Sequence, residues 1–171
     1  KVFCDSAFEK MPYTNGIKVA GDMLIGIDKD CERVAIPDSD LRLCRGLPWK
    51  ELKCLDVYDS LILDFMEEHP KRIGIGFPVS REKLYELRTR GSQYMDILDS
   101  DDVNKEFQSI DGIIYSADGK TLICCPLERT GKIVVPEGVE EISNDAFDEC
   151  RISEIHLPST LKKIGVNAVC G

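Results

Sequence analysis

The sequence predicts a repeat solenoid, β-rich, with short helical or 3-10 segments on its convex side and β-hairpins inserted between repeats. Three observations predict it. Residues 133–147, IVVPEGVEEISNDAF, align with 155–169, IHLPSTLKKIGVNAV, at a shift of 22, so that Ile133, Pro136, Ile142 and Ala146 meet Ile155, Pro158, Ile164 and Ala168. A larger phrase also occurs twice, as NGIKVAGDMLIGI (15–27) leading to VAIP and as DGIIYSADGKTLI (111–123) leading to IVVP. Strand-like centres recur near 35, 56, 76, 96, 134 and 156. A fixed period of this size marks an array in which one unit cannot bury its apolar face alone and stacked units can.

Each unit opens on an alternating segment such as Ile133–Val134–Val135, whose first and third side chains share one face. Proline then ends the strand, because it has no N–H for the ladder. In chain order, FCDSAF (3–8) echoes ISNDAF (142–147), so the chain is expected to open inside a repeat and to close inside one at Gly171. A first hairpin near 15–27 turns at Gly21–Asp22, and VAIPDS (34–39) reads as strand, proline and turn. Trp49, after Pro48, is expected to pack on the convex side. ELKCLDVYDS (51–60) matches RISEIHLPST (151–160), with Leu52, Leu55 and Val57 facing Ile152, Ile155 and Leu157.

Residues 61–108 form divergent repeats. LILDFMEEHP (61–70) is expected to be a short convex helix, and RIGIGFPVS (72–80) supplies Ile75, Phe77 and Pro78. Ser80 caps a helix containing Lys83 to Leu87, with Leu84 and Leu87 on its apolar edge and Gly91 ending it. YMDILDS (94–100) contributes Met95 and Ile97. A second inserted hairpin, 111–125, pairs Ile113–Ser116 with Thr121–Cys124 around an Asp-Gly turn at 118–119. The 171 residues are read as a single domain, 1–171.

Composition excludes some functions. A net charge of −9 with isolated basic pairs, Lys71–Arg72 and Lys162–Lys163, argues against nucleic acid as a partner. No apolar run is long enough to span a membrane, so no direct membrane insertion is expected. The first residues lack the layout of a signal peptide, which says nothing of targeting in a chain that opens mid-repeat. Eight cysteines include no C-x-x-C pair. They read as reduced apolar core residues, with disulfides the alternative in a secreted protein. Cys124 and Cys125 should point to opposite faces.

Catalytic and metal chemistry is not indicated. His156 lies between core-facing Ile155 and Leu157 and should be exposed, with Glu154 on the same face and no serine singled out for a triad. His69 sits before Pro70 in a polar stretch. The run DSDDVNKEF (99–107) fails as a calcium loop, since its fifth, sixth and twelfth positions hold Val103, Asn104 and Ile110. GIGFP lacks the context of a phosphate loop, and Gly74 and Gly76 read as outward positions that leave a bare patch. No cofactor and no metal are expected.

The phrases SIDGIIYSADGKTLICCP and IVVPEGVEEISNDAFDEC resemble the BspA-type leucine-rich repeat family, whose members alternate strand–Pro–x–x–Val–x–x–Ile units with an Ala-Phe…Cys close. The match is specific over 109–169, recognisable over 3–60 and weak over 61–108. The resemblance implies a right-handed leucine-rich-repeat superhelix with a parallel sheet on its concave side, and places Phe147 and Cys150 in the core. It also implies a bacterial cell-surface protein with an adhesive role.

On this reading the chain is a non-catalytic module that binds a protein or glycan ligand, such as a host or matrix protein. The alternative is an intracellular or structural scaffold without an adhesive role, placed in the cytoplasm by cysteines that show no clear disulfide framework. Outward strand positions would form the contact face: Arg33, Ala35, Cys54, Asp56, Gly74, Gly76, Asp96, Lys132, Val134, Glu154 and His156. Tyr58 stands where other units have proline. The candidate partner-binding residues are Arg33, Asp56, Tyr58, Glu154 and His156, with Tyr58 and Arg33 favoured because interface anchors are enriched in Tyr and Arg. A thiol with a depressed pKa would point instead to cysteine chemistry.

Overall fold

Alternation, proline stops and paired turn residues divide the chain into short strands with little helix. The computed structural model describes residues 10–36, 42–43, 46–66, 69–98 and 103–169. The echo at 3–8, residues 37–39 of VAIPDS, the acidic run at 99–102, and Cys4, Cys44 and Cys170 lie outside the described residues.

In order the elements are β1 (Ile17–Ala20), β2 (Met23–Ile27), β3 (Val34–Ile36), β4 (Arg42–Leu43), a 3-10 turn (Trp49–Glu51), β5 (Cys54–Val57), α1 (Ser60–Phe65) and β6 (Arg72–Ile75). They continue with α2 (Arg81–Leu87), β7 (Tyr94–Ile97), β8 (Phe107–Ile110), β9 (Ile113–Ser116), β10 (Thr121–Cys124), β11 (Gly131–Val134), β12 (Glu141–Ile142), β13 (Ile152–His156) and β14 (Lys163–Ile164). The fold is β-rich, in several sheets built from repeat-like units, with orders β1-β2-β4, β3-β5-β6-β7, β14-β12-β10-β9-β8 and β11-β13.

The repeat is visible in the pairing itself. β3, β5, β6 and β7 are all parallel, and one rung runs Val34, Leu55, Ile73, Met95, giving steps of 21, 18 and 22. The middle step is shorter than the expected 20 because the strand of RIGIGFP occupies Arg72–Ile75, not residues centred on Gly76. Later in the chain Ile133 pairs with Ile155 and Ile142 with Ile164, both at 22. Side chains keep the same interval: Gly138 N–H donates to Thr160 Oγ1, Ser159 N–H to Glu137 Oε1 and Val166 N–H to Asn144 Oδ1, at 2.9–3.0 Å.

The larger phrase is a structural repeat as well. In both copies a tight turn with two left-handed residues starts the hairpin: Asn15–Gly16 (φ 51° and 80°) and Asp111–Gly112 (φ 51° and 72°). Such φ values match the type I′ turn that suits hairpin twist. A β-carbon at Gly112 would lie 2.9 Å from Tyr94 Cα, so the close approach of β7 also requires glycine there. Both hairpins then offer a second strand to a parallel neighbour, β2 to β4 and β10 to β12. The hairpins are therefore not insertions between repeats, as the spacing had indicated. β10 is itself the first rung of the ladder Leu122, Ile142, Ile164.

Two apolar cores result. The first gathers Val34, Leu55, Val57, Ile73, Ile75 and Met95 with Leu84 and Leu87 of α2 and Ile62 and Leu63 of α1. The second gathers Ile113, Tyr115, Leu122, Ile133, Val135, Val139, Ile142, Ala146 and Phe147. β9 and β10 are the wall between them, since Ile114, Ile123 and Cys124 enter the first core while Tyr115, Leu122 and Cys125 enter the second. Trp49 is buried and packs in the first core. In the last unit Leu157, Ile164 and Val169 hold core-phase positions yet are exposed, because no further unit among the described residues stacks on them.

Both helices are capped by the side chain before them: Asp59 accepts from Leu61 N–H, and Ser80 from Lys83 N–H. α2 also joins the cores. Tyr85 Oη lies 3.0 Å from Ile123 O and 2.7 Å from Asn144 O, and Leu127 N–H donates to Arg88 O at 3.1 Å.

His69 is buried rather than part of a polar surface, with its Nε2 3.3 Å from Leu63 O and its Nδ1 unpartnered. Burial pushes its pKa below the ordinary value of 6.5, and the Leu63 hydrogen bond only partly opposes this. The unfolded ring binds its proton at higher pH than the folded one. Stability is therefore full above about pH 6.5 and falls as pH drops through that value. Urea midpoints at pH 7.5 and 5.5 should diverge in the native protein and converge in His69→Met; equal divergence in both would remove His69 as the cause.

Candidate functional site

The outward face of the four-stranded sheet is built from the residues between core positions. One rung reads Ala35, Asp56, Gly74, Asp96, and the rung beside it Cys54, Arg72, Tyr94. Asp56 and Asp96 are separated by a glycine and each is held by its own arginine. Arg33 Nη1 donates to both Asp56 oxygens at 3.0 and 2.9 Å, and Arg72 Nη1 to Asp96 Oδ2 at 2.6 Å.

Gly74 and Gly76 do not leave a bare patch. A β-carbon on Gly74 would lie 2.2 Å from Asp56 Oδ1, and one on Gly76 would lie 2.4 Å from the Tyr58 ring. Asp56 of β5 and Tyr58, just after it, lean sideways into the room the glycines leave. As a result Asp56 is only 6% exposed and Cys54, also expected outward, is buried with it. Burial, then the neighbouring Asp56 carboxylate, pushes the Cys54 thiol up to about 11, so it is no nucleophile.

Tyr58 has a second side. With Ala35, it faces Met11, Pro12, Thr14, Asn15, Ile17 and Val19 across a groove of about 510 Å³. The groove lies where β1, an outer strand of its sheet, meets β3, an outer strand of the next, among the described residues. Its lining is mainly aliphatic, with the Tyr58 ring as one wall, which suits an apolar side chain on a polar chain.

Glu154 and His156 lie elsewhere, on β13 beside Lys132 and Val134 of β11. Glu154 accepts from His156 Nε2 and meets Lys132 Nζ at 3.4 Å, and the histidine contact holds its carboxyl below the ordinary range. All four residues are exposed. The five candidate residues thus form two groups, Arg33, Asp56 and Tyr58 on one sheet and Glu154 with His156 on another, with the β8–β9–β10 sheet between them in the chain.

Some features have no counterpart in the sequence reading. Tyr94 has two guanidinium groups over its ring, Arg72 Cζ at 4.4 Å and Arg129 Cζ at 4.2 Å from its centroid. Arg129 is buried and pairs with Asp111. Met11, Pro12, Ile17 and Val19 were also missed; the apolar residues flanking the Asn-Gly turn were the available signal. Among the described residues no group of His, Cys, Asp and Glu is placed to hold a metal. No described helix is long and apolar enough to cross a membrane.

No protein-family model and no curated protein matches the chain. Two solved structures are similar to it. One is a leucine-rich repeat protein from Eubacterium ventriosum, 11% identical with a TM-score of 0.45, covering 85% of this chain and 56% of that one. The other is the pneumococcal vaccine antigen PcpA, 17% identical with a TM-score of 0.35, covering 80% of this chain and 47% of that one. This chain spans about half the length of each. The repeat described above rests on the register of this chain, not on these likenesses.

Proposed function

We propose that the chain is a non-catalytic interaction module, a segment of a right-handed leucine-rich-repeat solenoid with its parallel sheet on the concave side. Its partner is a protein, engaged through an extended apolar segment that enters the groove between β1 and β3. The observation that carries this is the groove itself: aliphatic walls, an aromatic side chain at one edge and two outer strands beside it. Outer strands offer unpaired N–H and C=O groups to an extended chain, and a pocket between them selects side chains. A place on the surface of a bacterium, in an adhesive role, suits such a module. The five described cysteines, all free thiols, favour the second reading of an intracellular scaffold with the same groove.

Tyr58 is the informative residue, because Arg33 is committed to Asp56 and its loss would also disturb the sheet. Peptides selected from a displayed library on the immobilised protein should lose at least about tenfold in affinity with Tyr58→Ala or with Ala35→Arg, which fills the groove. They should bind His156→Ala unchanged. Peptides insensitive to both groove substitutions would overturn the assignment.

A further inference from the structure

We propose that Cys150 is a modification site, a thiol that is oxidised by a peroxide and then closes onto Cys125 as an intramolecular disulfide. This is independent of the groove. Cys125 directly follows β10 in the second core, and Cys150 ends the turn that follows Phe147. Both sulfurs face one carbonyl: Cys125 Sγ is 3.7 Å and Cys150 Sγ 3.6 Å from Pro126 O, and Cys150 Sγ is also 3.6 Å from Cys125 O. The two thiols are near enough to shift each other's ionisation in opposite directions.

Arg88 supplies the second observation. It is buried, and its guanidinium donates to Asp145 O, to Asp148 O and, at 3.5 Å, to Cys150 Sγ. Its Nε has no partner, and no carboxylate among the described residues pairs with it. A buried cation held only by neutral groups lacks the counter-charge that such groups ordinarily require. A thiolate at Cys150 would place an anion in direct hydrogen-bond contact with it. Consistent with this, the hydrogen bond from Cys125 and then the Arg88 charge hold the Cys150 thiol below its ordinary range, with burial and Asp148 opposing. The same hydrogen bond and burial push Cys125 up, and burial pushes Cys124 up to about 12. Cys150 is also partly exposed while Cys125 is not, so an oxidant meets Cys150 first.

The chemistry follows from that order. The Cys150 thiolate attacks one oxygen of hydrogen peroxide, the O–O bond breaks, and the departing hydroxide takes a proton to leave as water. Cys150 is then a sulfenic acid. The Cys125 sulfur attacks it, the S–O bond breaks, and the hydroxyl leaves as a second water with the Cys125 proton. Two thiols and one peroxide become one disulfide and two waters.

The test is peptide mapping of the folded protein after hydrogen peroxide and alkylation. Trypsin separates residues 121–129 from 133–151, and a cross-linked pair of these peptides is expected. It should persist in Cys124→Ala and vanish in Cys125→Ala, where Cys150 should instead be trapped as a sulfenic acid by dimedone. Before oxidation, iodoacetamide at pH 7 should label Cys150 about tenfold faster than Cys31, the other partly exposed described thiol. No cross-link, a cross-link that survives Cys125→Ala, or faster labelling of Cys31 would overturn the proposal. Circular dichroism of each variant shows whether it is folded.

Discussion

Phe147→Ala should lower the unfolding free energy by about 3–5 kcal/mol, as truncation of a buried phenylalanine does. The ring is 2% exposed and sits in the second core with Val139, Ile142 and Ala146. Its backbone N–H is bonded to Ala168 O at 2.9 Å, so this turn also anchors the next unit. Little can collapse into the vacated space, because the wall strands on one side are packed by the first core on the other. Urea unfolding followed by circular dichroism measures the loss, and a cost under about 1 kcal/mol would mean that the repeat phase is wrong. Trp49 fluorescence, which reports the first core, should shift with it if α2 couples the two.

Gly74→Val should cost about 3 kcal/mol through a different route. The new β-carbon would enter space held by Asp56 Oδ1 and, at 2.9 Å, Leu98 Cδ2. Overpacking costs about 1–3 kcal/mol, and displacing the carboxylate from Arg33 adds about 1–3 kcal/mol for a buried acceptor left without its partner. Arg33 is half exposed and can turn to water, which limits its share. The diagnostic is the double variant. Asp56→Ala removes the obstructing carboxylate, so Asp56→Ala with Gly74→Val should be more stable than Gly74→Val alone. Simple additivity of two losses would show that the carboxylate does not occupy the glycine's space.

Much of the architecture was legible because alternation and turn chemistry are local. The limits of β9 and β10 match the expected Ile113–Ser116 and Thr121–Cys124, and Ser80 caps α2 as its spacing implied. Leu52, Leu55 and Val57 are buried, and Cys124 and Cys125 enter different cores. β8 was missed because Phe107–Gln108–Ser109–Ile110 mixes apolar and polar residues on both faces. The candidate face was legible only as a list of positions. Strand phase says which way a side chain leaves the backbone, but not that Asp56 and Tyr58 would bend over two glycines one strand away. Burial of Arg88 and Arg129 was equally hidden, since it depends on partners far along the chain. The groove joins residues 11–19 to 35 and 58, a proximity no period of 22 encodes.

The position of β10 between the two cores bears on how such a chain can change over generations. Consecutive residues of one strand answer to different cores, so a substitution there is judged by both halves at once. The chain is therefore not a string of interchangeable cassettes. A recombination joint placed at residues 121–125 would need matching partners on either side, whereas a joint in the ladder from 133 onward cuts between units of like register.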